Sequence, residues 1–83
     1  MAKIMTFNEA LAERINELLS EKKMTQYRLS MNSGVAAQSI DNIRRQRNQT
    51  NAVNIIYLLA QGFGMTLKEF FDSPLFDIEN ITD

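Results

Sequence analysis

Eighty-three residues, 45% of them hydrophobic and 23% charged, describe one small folded module, too short for two cores, too apolar for disorder and lacking the long apolar run of a membrane span. With no cysteine and no histidine, disulfide scaffolds, zinc sites of the usual nitrogen and sulfur type, thiol nucleophiles and histidine-based triads are excluded, and most enzyme chemistry goes with them; no metal, catalytic residue or cofactor is expected. The net charge of −1 hides an asymmetry: residues 1–21 set Lys3 and Arg14 against four glutamates and residues 50–83 set Lys68 against five acids, while residues 22–49 set six cations against Asp41 alone, net +5. A belt of one sign in the middle of an otherwise acidic chain points to an anionic partner.

From Met1 to Thr6 there is no apolar stretch of the kind a secretory signal needs, so the expected location is the cytoplasm. Thr6 and Glu9 have capping-box spacing and predict a helix start. Leu11, Ile15, Leu18 and Leu19 then recur on one stripe, which carries this first helix to about Lys22. Thr25 is placed to cap a short second helix from Gln26 to about Asn32, with Leu29 inward and Tyr27 and Met31 as further inward candidates. Gly34 supplies the positive φ that ends it, and Val35 packs back across the turn. A third helix follows from Ala36 to about Arg45, turning Ile40 and Ile43 inward and Gln38, Asp41, Asn42 and Arg45 outward.

The polar run from Gln46 to Thr50 reads as a loop, and Asn51 as the cap of a fourth helix whose core side is Val53, Ile56, Leu59, Ala60 and Phe63, with Gly64 as its stop. Thr66 and Glu69 form a second capping box for a fifth helix, closed by Ser73 and Pro74. Its Phe70 and Phe71, like the methionines, are expected in the core. No strand alternation, internal repeat or linker appears. The domain therefore spans residues 1–74, followed by an acidic, apolar tail over 75–83 that can dock on the core, pair with a second subunit or fray.

The segment Thr25 to Ser30, then Ser33, Gly34 and Val35, then Ala37 to Ile43, resembles the helix-turn-helix of the Cro and lambda-type repressor family. There a Thr/Asn-Gln pair opens the positioning helix, a small residue stands at the place of Ser30, a glycine makes the turn, and a Ser-Ile or Ser-Leu pair lies in the recognition helix. The likeness runs over about residues 9–73, through the Gly64 turn and the Glu69-Phe70-Phe71 helix. It implies a compact all-α, five-helix, lambda-repressor-like domain, encoded by a bacterium or phage, that binds double-stranded DNA sequence-specifically as a homodimer and regulates transcription.

An exposed recognition helix fits the major groove, where Gln38 and Asn42 can each bond adenine and Ala37 can offer a methyl to thymine. Gln26 resembles the family glutamine that bonds a backbone phosphate, with simple capping of the second helix as the competing role. Ser39, Arg44, Arg45, Arg47, Asn48 and Gln49 are further phosphate candidates. The chain departs from the family where Arg44-Arg45-Gln46 replaces an ending in glycine. Asp41 lies three and four residues before the two arginines, which gives them a structural role as an alternative to phosphate binding. The reading from another class is an antitoxin-like module whose tail binds a protein partner, with DNA contact secondary.

Overall fold

The computed structural model describes residues 4–48 and 50–82. Five α-helices follow in order: α1 Phe7–Glu21, α2 Gln26–Ser33, α3 Ala37–Arg44, α4 Val53–Gly62 and α5 Leu67–Phe70. Two 3-10 turns, Pro74–Phe76 and Ile78–Asn80, complete the chain. The boundaries agree with the sequence reading to within a residue or so, except that α5 ends at Phe70, short of the expected stop at Ser73 and Pro74. Both capping boxes form: the Thr6 and Thr66 side chains accept from the backbone of Glu9 and Glu69, whose carboxylates accept in return. Thr66 holds the Glu69 carboxyl below its ordinary value of 4.5, its backbone N–H contributing most and its hydroxyl next.

The apolar stripes meet in one core built from Leu11, Ile15 and Leu18 of α1, Leu29 of α2, Ile40 of α3, Leu59 and Ala60 of α4 and Phe70 of α5, all essentially without solvent contact. α1 packs on α3, α2 lies against both α3 and α4, and α4 leads into α5. At the α2–α4 crossing Gly62 has no room for a side chain, since a Cβ there would stand 2.8 Å from the Cβ of Ser33 and 3.0 Å from Leu29 Cδ1. Among the described residues no helix is long and apolar enough to cross a membrane.

Three helices end in the same reversal, in which the first residue beyond the cap takes a positive φ and two backbone N–H groups return to the last turn. Gly64 does this for α4 at φ 75°, whereas Lys23 does it for α1 at 51° and Gln46 for α3 at 58°. The position where the family resemblance expects glycine is thus a glutamine in the left-handed conformation. The fourth, Gly34 at φ 76°, closes α2.

Several expectations are corrected. Tyr27 and Met31 are 70% and 63% exposed. Each lies two residues from Leu29, about 200° around a helix at roughly 100° per residue, so neither can share its buried face. Val53 is 65% exposed, because it falls in line with Tyr57 one turn on, which is also exposed, and not with Ile56. α4 starts from Ala52 without a side-chain cap; Asn51 instead donates to Asn8 Oδ1 at 2.9 Å, binding the loop after α3 to the start of α1.

The tail takes the first of its three options. Met5 donates to Asn80 O and accepts from Thr82 N, each at 2.9 Å, forming a lone parallel bridge with Ile81. Phe76 enters a cluster with Phe7, Phe70 and Phe71, its ring edge-on to Phe71 at 4.8 Å. Beneath that cluster lies Arg14, the one buried charged residue among those described. Its Nε donates to Phe70 O at 2.7 Å and its NH2 nitrogen to Glu69 O at 3.0 Å, capping the end of α5.

Candidate nucleic-acid interface

α2 and α3 are fastened across a short turn by the residues that the motif supplies. Ser30 Oγ donates to Val35 O at 2.7 Å, and Val35 N donates to Ser33 Oγ at 3.1 Å, so both polar groups of Val35 are held while its side chain is buried. Ile40 and Ile43 pin the inner side of α3 to the core. The opposite side of α3 is left to solvent: Ala37, Gln38 and Ser39 are exposed, and Asn42 is half-buried. α3 begins from Ala36 with no side-chain cap.

The polar residues of α3 are organised among themselves. Gln38 Nε2 donates to Asn42 Oδ1 at 3.0 Å, one turn on. Engaging that oxygen leaves the pair Gln38 Oε1 as its open acceptor, with Asn42 Nδ2 and the second N–H of Gln38 Nε2 as donors. Behind them Asp41 accepts from two arginines, Arg45 Nε on Oδ1 at 3.0 Å and Arg47 NH1 on Oδ2 at 2.9 Å. The same Arg47 nitrogen reaches Asn42 Oδ1 at 3.2 Å. The hydrogen bond from Arg45 is the strongest influence holding the Asp41 carboxyl below its ordinary 3.8; partial desolvation opposes it, and Arg47 reinforces it.

Two of the phosphate candidates turn out to be joined. Arg44 donates through Nε to Asn16 Oδ1 of α1 at 2.7 Å and through NH1 to Gln26 Oε1 of α2 at 2.8 Å. Gln26 Nε2 in turn donates to Ala37 O at the start of α3, at 3.2 Å. The glutamine therefore does not cap α2, which Thr25 does, but ties α2 to both ends of α3. Arg44 locks three helices together, and its partner Asn16, 28 residues away, carries no signal in the sequence. Asn48 donates to Asn51 Oδ1 at 3.2 Å, and its carbonyl accepts from Asn8. Ser39, Arg45 and Arg47 are exposed; Gln49 lies outside the described residues.

The other cations of the basic belt, Lys22, Lys23 and Arg28, line a shallow pocket with Met24 and Thr25 beside the start of α2. Among the described residues no group of acids converges as a metal site would. The arrangement offers a helix pinned to the core on one side, with an amide pair on its exposed side and cations around it. That is the chemistry of an interface with an anionic, hydrogen-bonding surface.

Comparison with known proteins places the fold. No protein-family model matches the sequence, and no curated protein matches it. Among solved structures, the chain is similar to the restriction-modification controller protein C.Esp1396I, at 23% identity and a TM-score of 0.73, over 82% of this chain and 88% of that one. It is similar to the prophage Lp1 protein 11 at 20% identity and 0.76, over 90% of this chain and the whole of that one. It is likewise similar to the controller protein C.AhdI from Aeromonas hydrophila, at 25% identity and 0.65, over 77% of this chain and 96% of that one. The all-α, five-helix fold and the resemblance to Cro and lambda-type helix-turn-helix proteins are borne out by these neighbours.

Proposed function

We propose that this protein is a transcriptional regulator, not an enzyme, that reads duplex DNA in the major groove with α3 and acts as a homodimer on a two-fold related operator. The observation that carries this is the Gln38–Asn42 pair, hydrogen-bonded on the exposed side of a helix whose other side is pinned to the core. One acceptor and one donor on neighbouring turns match the N6 donor and N7 acceptor of adenine. Ala37 stands beside them for a thymine methyl. Ser39 and Asn48 flank the pair as phosphate contacts, and Arg45 and Arg47 add positive charge beside it while paired with Asp41; Gln26 and Arg44 serve mainly to hold α3 in position. The fold shared with controller proteins of restriction-modification systems and with a prophage protein supports a regulator of bacterial or phage origin working in the cytoplasm at the nucleoid.

Dimerisation follows from area: one module of this size buries little DNA surface, and two joined modules multiply the discrimination while setting half-sites about one helical turn apart. The test is selection from randomised duplexes at near-physiological salt, with wild type and Gln38→Ala side by side. An enriched palindrome whose preference relaxes at one position per half-site in the variant is the expected result. Weak, sequence-blind binding would refute the assignment and move the function to protein contact through residues 75–83, of which Ile78 is 93% exposed.

A further inference from the structure

Asp41 is the only acid between residues 22 and 49, and it lies on the recognition helix itself. Its two oxygens take one arginine each, at 3.0 and 2.9 Å. The second contact exists because of the backbone: the left-handed turn at Gln46 folds the chain back, Arg47 N bonds Asn42 O at 2.8 Å, and the Arg47 side chain is thereby returned along α3. Through a single guanidinium nitrogen the carboxylate is then connected to Asn42 and so to Gln38.

We propose that Asp41 determines specificity in the DNA reading by α3: it keeps Arg45 and Arg47 from gripping the phosphates of non-cognate DNA, and through Arg47 it braces the Gln38–Asn42 pair that reads bases. The inference rests on the assignment of α3 as a base-reading helix. Its physical basis is that non-cognate binding has little but phosphate contacts to draw on, each worth a term in the salt dependence, whereas cognate binding also draws on base contacts. Both arginines are largely exposed, with side chains 65% and 50% accessible, so what holds them is an exposed ion pair, weak enough to be broken by one substitution. Releasing them benefits non-cognate binding most, and loss of the brace on Asn42 penalises cognate binding; the two effects lower the ratio together.

The experiment compares wild type, Asp41→Asn, Arg45→Ala/Arg47→Ala and the triple variant on two duplexes, the selected operator and a scrambled sequence of the same composition, over a salt series. On scrambled DNA, Asp41→Asn is expected to steepen the log–log salt slope by about 0.9 for each released arginine, which for two amounts to about a tenfold larger change in affinity over a fourfold change in salt. The operator-to-scrambled ratio falls in the same variant. In the background lacking both arginines the substitution changes neither quantity, and Asp41→Glu, which keeps the carboxylate, retains the wild-type slope. An unchanged slope with Asp41→Asn, or an equal gain on both duplexes, overturns the inference. So does an undiminished effect in the arginine-free background, since it would make the carboxylate's own repulsion of phosphate the cause. Wild type that fails to distinguish the two duplexes overturns the base-reading assignment itself, a result separable from all the others.

Discussion

Replacing Gly62 with alanine tests whether the helix-turn-helix depends on the close approach of α2 and α4. The added Cβ would stand 2.8 Å from Ser33 Cβ and 3.2 Å from Ser33 Cα, where ordinary contacts begin at 3.4 Å, so α2 must retreat by about 0.6 Å. Neither neighbour is the loose end of a long side chain, and Leu29, whose Cδ1 stands 3.0 Å away one turn before Ser33 on the same helix, has no solvent contact. Overpacking of this kind costs about 1–3 kcal/mol, and the rigid neighbours place it in the upper part of that range. Alanine's better helix propensity returns at most about 1 kcal/mol, and less at the last residue of a helix. The net loss is about 1–2 kcal/mol, a fall in melting temperature of roughly 5–15 °C for a domain of this size. Urea unfolding followed by circular dichroism measures it, and a double-mutant cycle with Ser33→Gly, which removes the opposing Cβ, shows whether the two positions are coupled. Stability at or above wild type, or a cycle with no coupling, would refute the reasoning. Because Ser33 Oγ also accepts from Val35 N, the same retreat loosens the turn that holds α3, and operator affinity falls with it.

Arg14→Met keeps the buried stem but removes the donors to Phe70 O and Glu69 O together with the ion pair to Glu17 at 2.6 Å, leaving carbonyls at the end of α5 unsatisfied; a loss of about 2–3 kcal/mol in denaturant unfolding is expected, and one near zero would show that water replaces the guanidinium. Asp41 titrates below its ordinary 3.8 because its arginines favour the ionised form. A depressed folded-state value means that the contribution of this carboxylate to stability is present above about pH 4 and is lost as pH falls through the folded value. Carbon-detected NMR titration of the Asp41 carboxyl should give a midpoint below 3.8, and one at or above it would dissolve the ion-pair network as described.

Much of the fold was legible along the chain because its signals are local. Thr6 with Glu9, Thr66 with Glu69, and the stripes of α1 and α4 each act within a turn or two of helix, and the structure forms them as the spacing requires. The helix-turn-helix was legible for the same reason, its glycine and small residues being demanded by one tight reversal. The misses have separate causes. Tyr27 and Met31 stand two residues from Leu29, so the helical period alone already turns them from its buried face, whereas Val53, at the start of α4, could fall with Ile56 or with Tyr57, and the packing of α4 leaves it with Tyr57. Lys23 and Gln46 do the work of glycine without its signature, because returning backbone hydrogen bonds and the packing beyond them hold a conformation that side chains rarely choose.

The candidate site divides along the same line. Residue order already put Gln38 and Asn42 one turn apart and set Asp41 against Arg45, since helical geometry makes such pairs neighbours wherever the helix lies; Arg44, equally spaced from Asp41, turns instead to Asn16 and Gln26, and the second arginine on Asp41 is Arg47, returned by the turn beyond α3. Residue order could not show that Arg44 and Gln26 have partners within the protein, because Asn16 and the Ala37 carbonyl that engage them stand 28 and 11 residues away along the chain. Nor could it fully place Arg14: its position three after Leu11 and four before Leu18 sets it on the buried stripe and Glu17, three residues on, is its ion-pair partner at 2.6 Å, but the two carbonyls that accept from it arrive 55 and 56 residues later. Interactions within a helix are written in the spacing of its residues; partners across helices are supplied by packing, and packing is what separated the residues that hold α3 from those it presents.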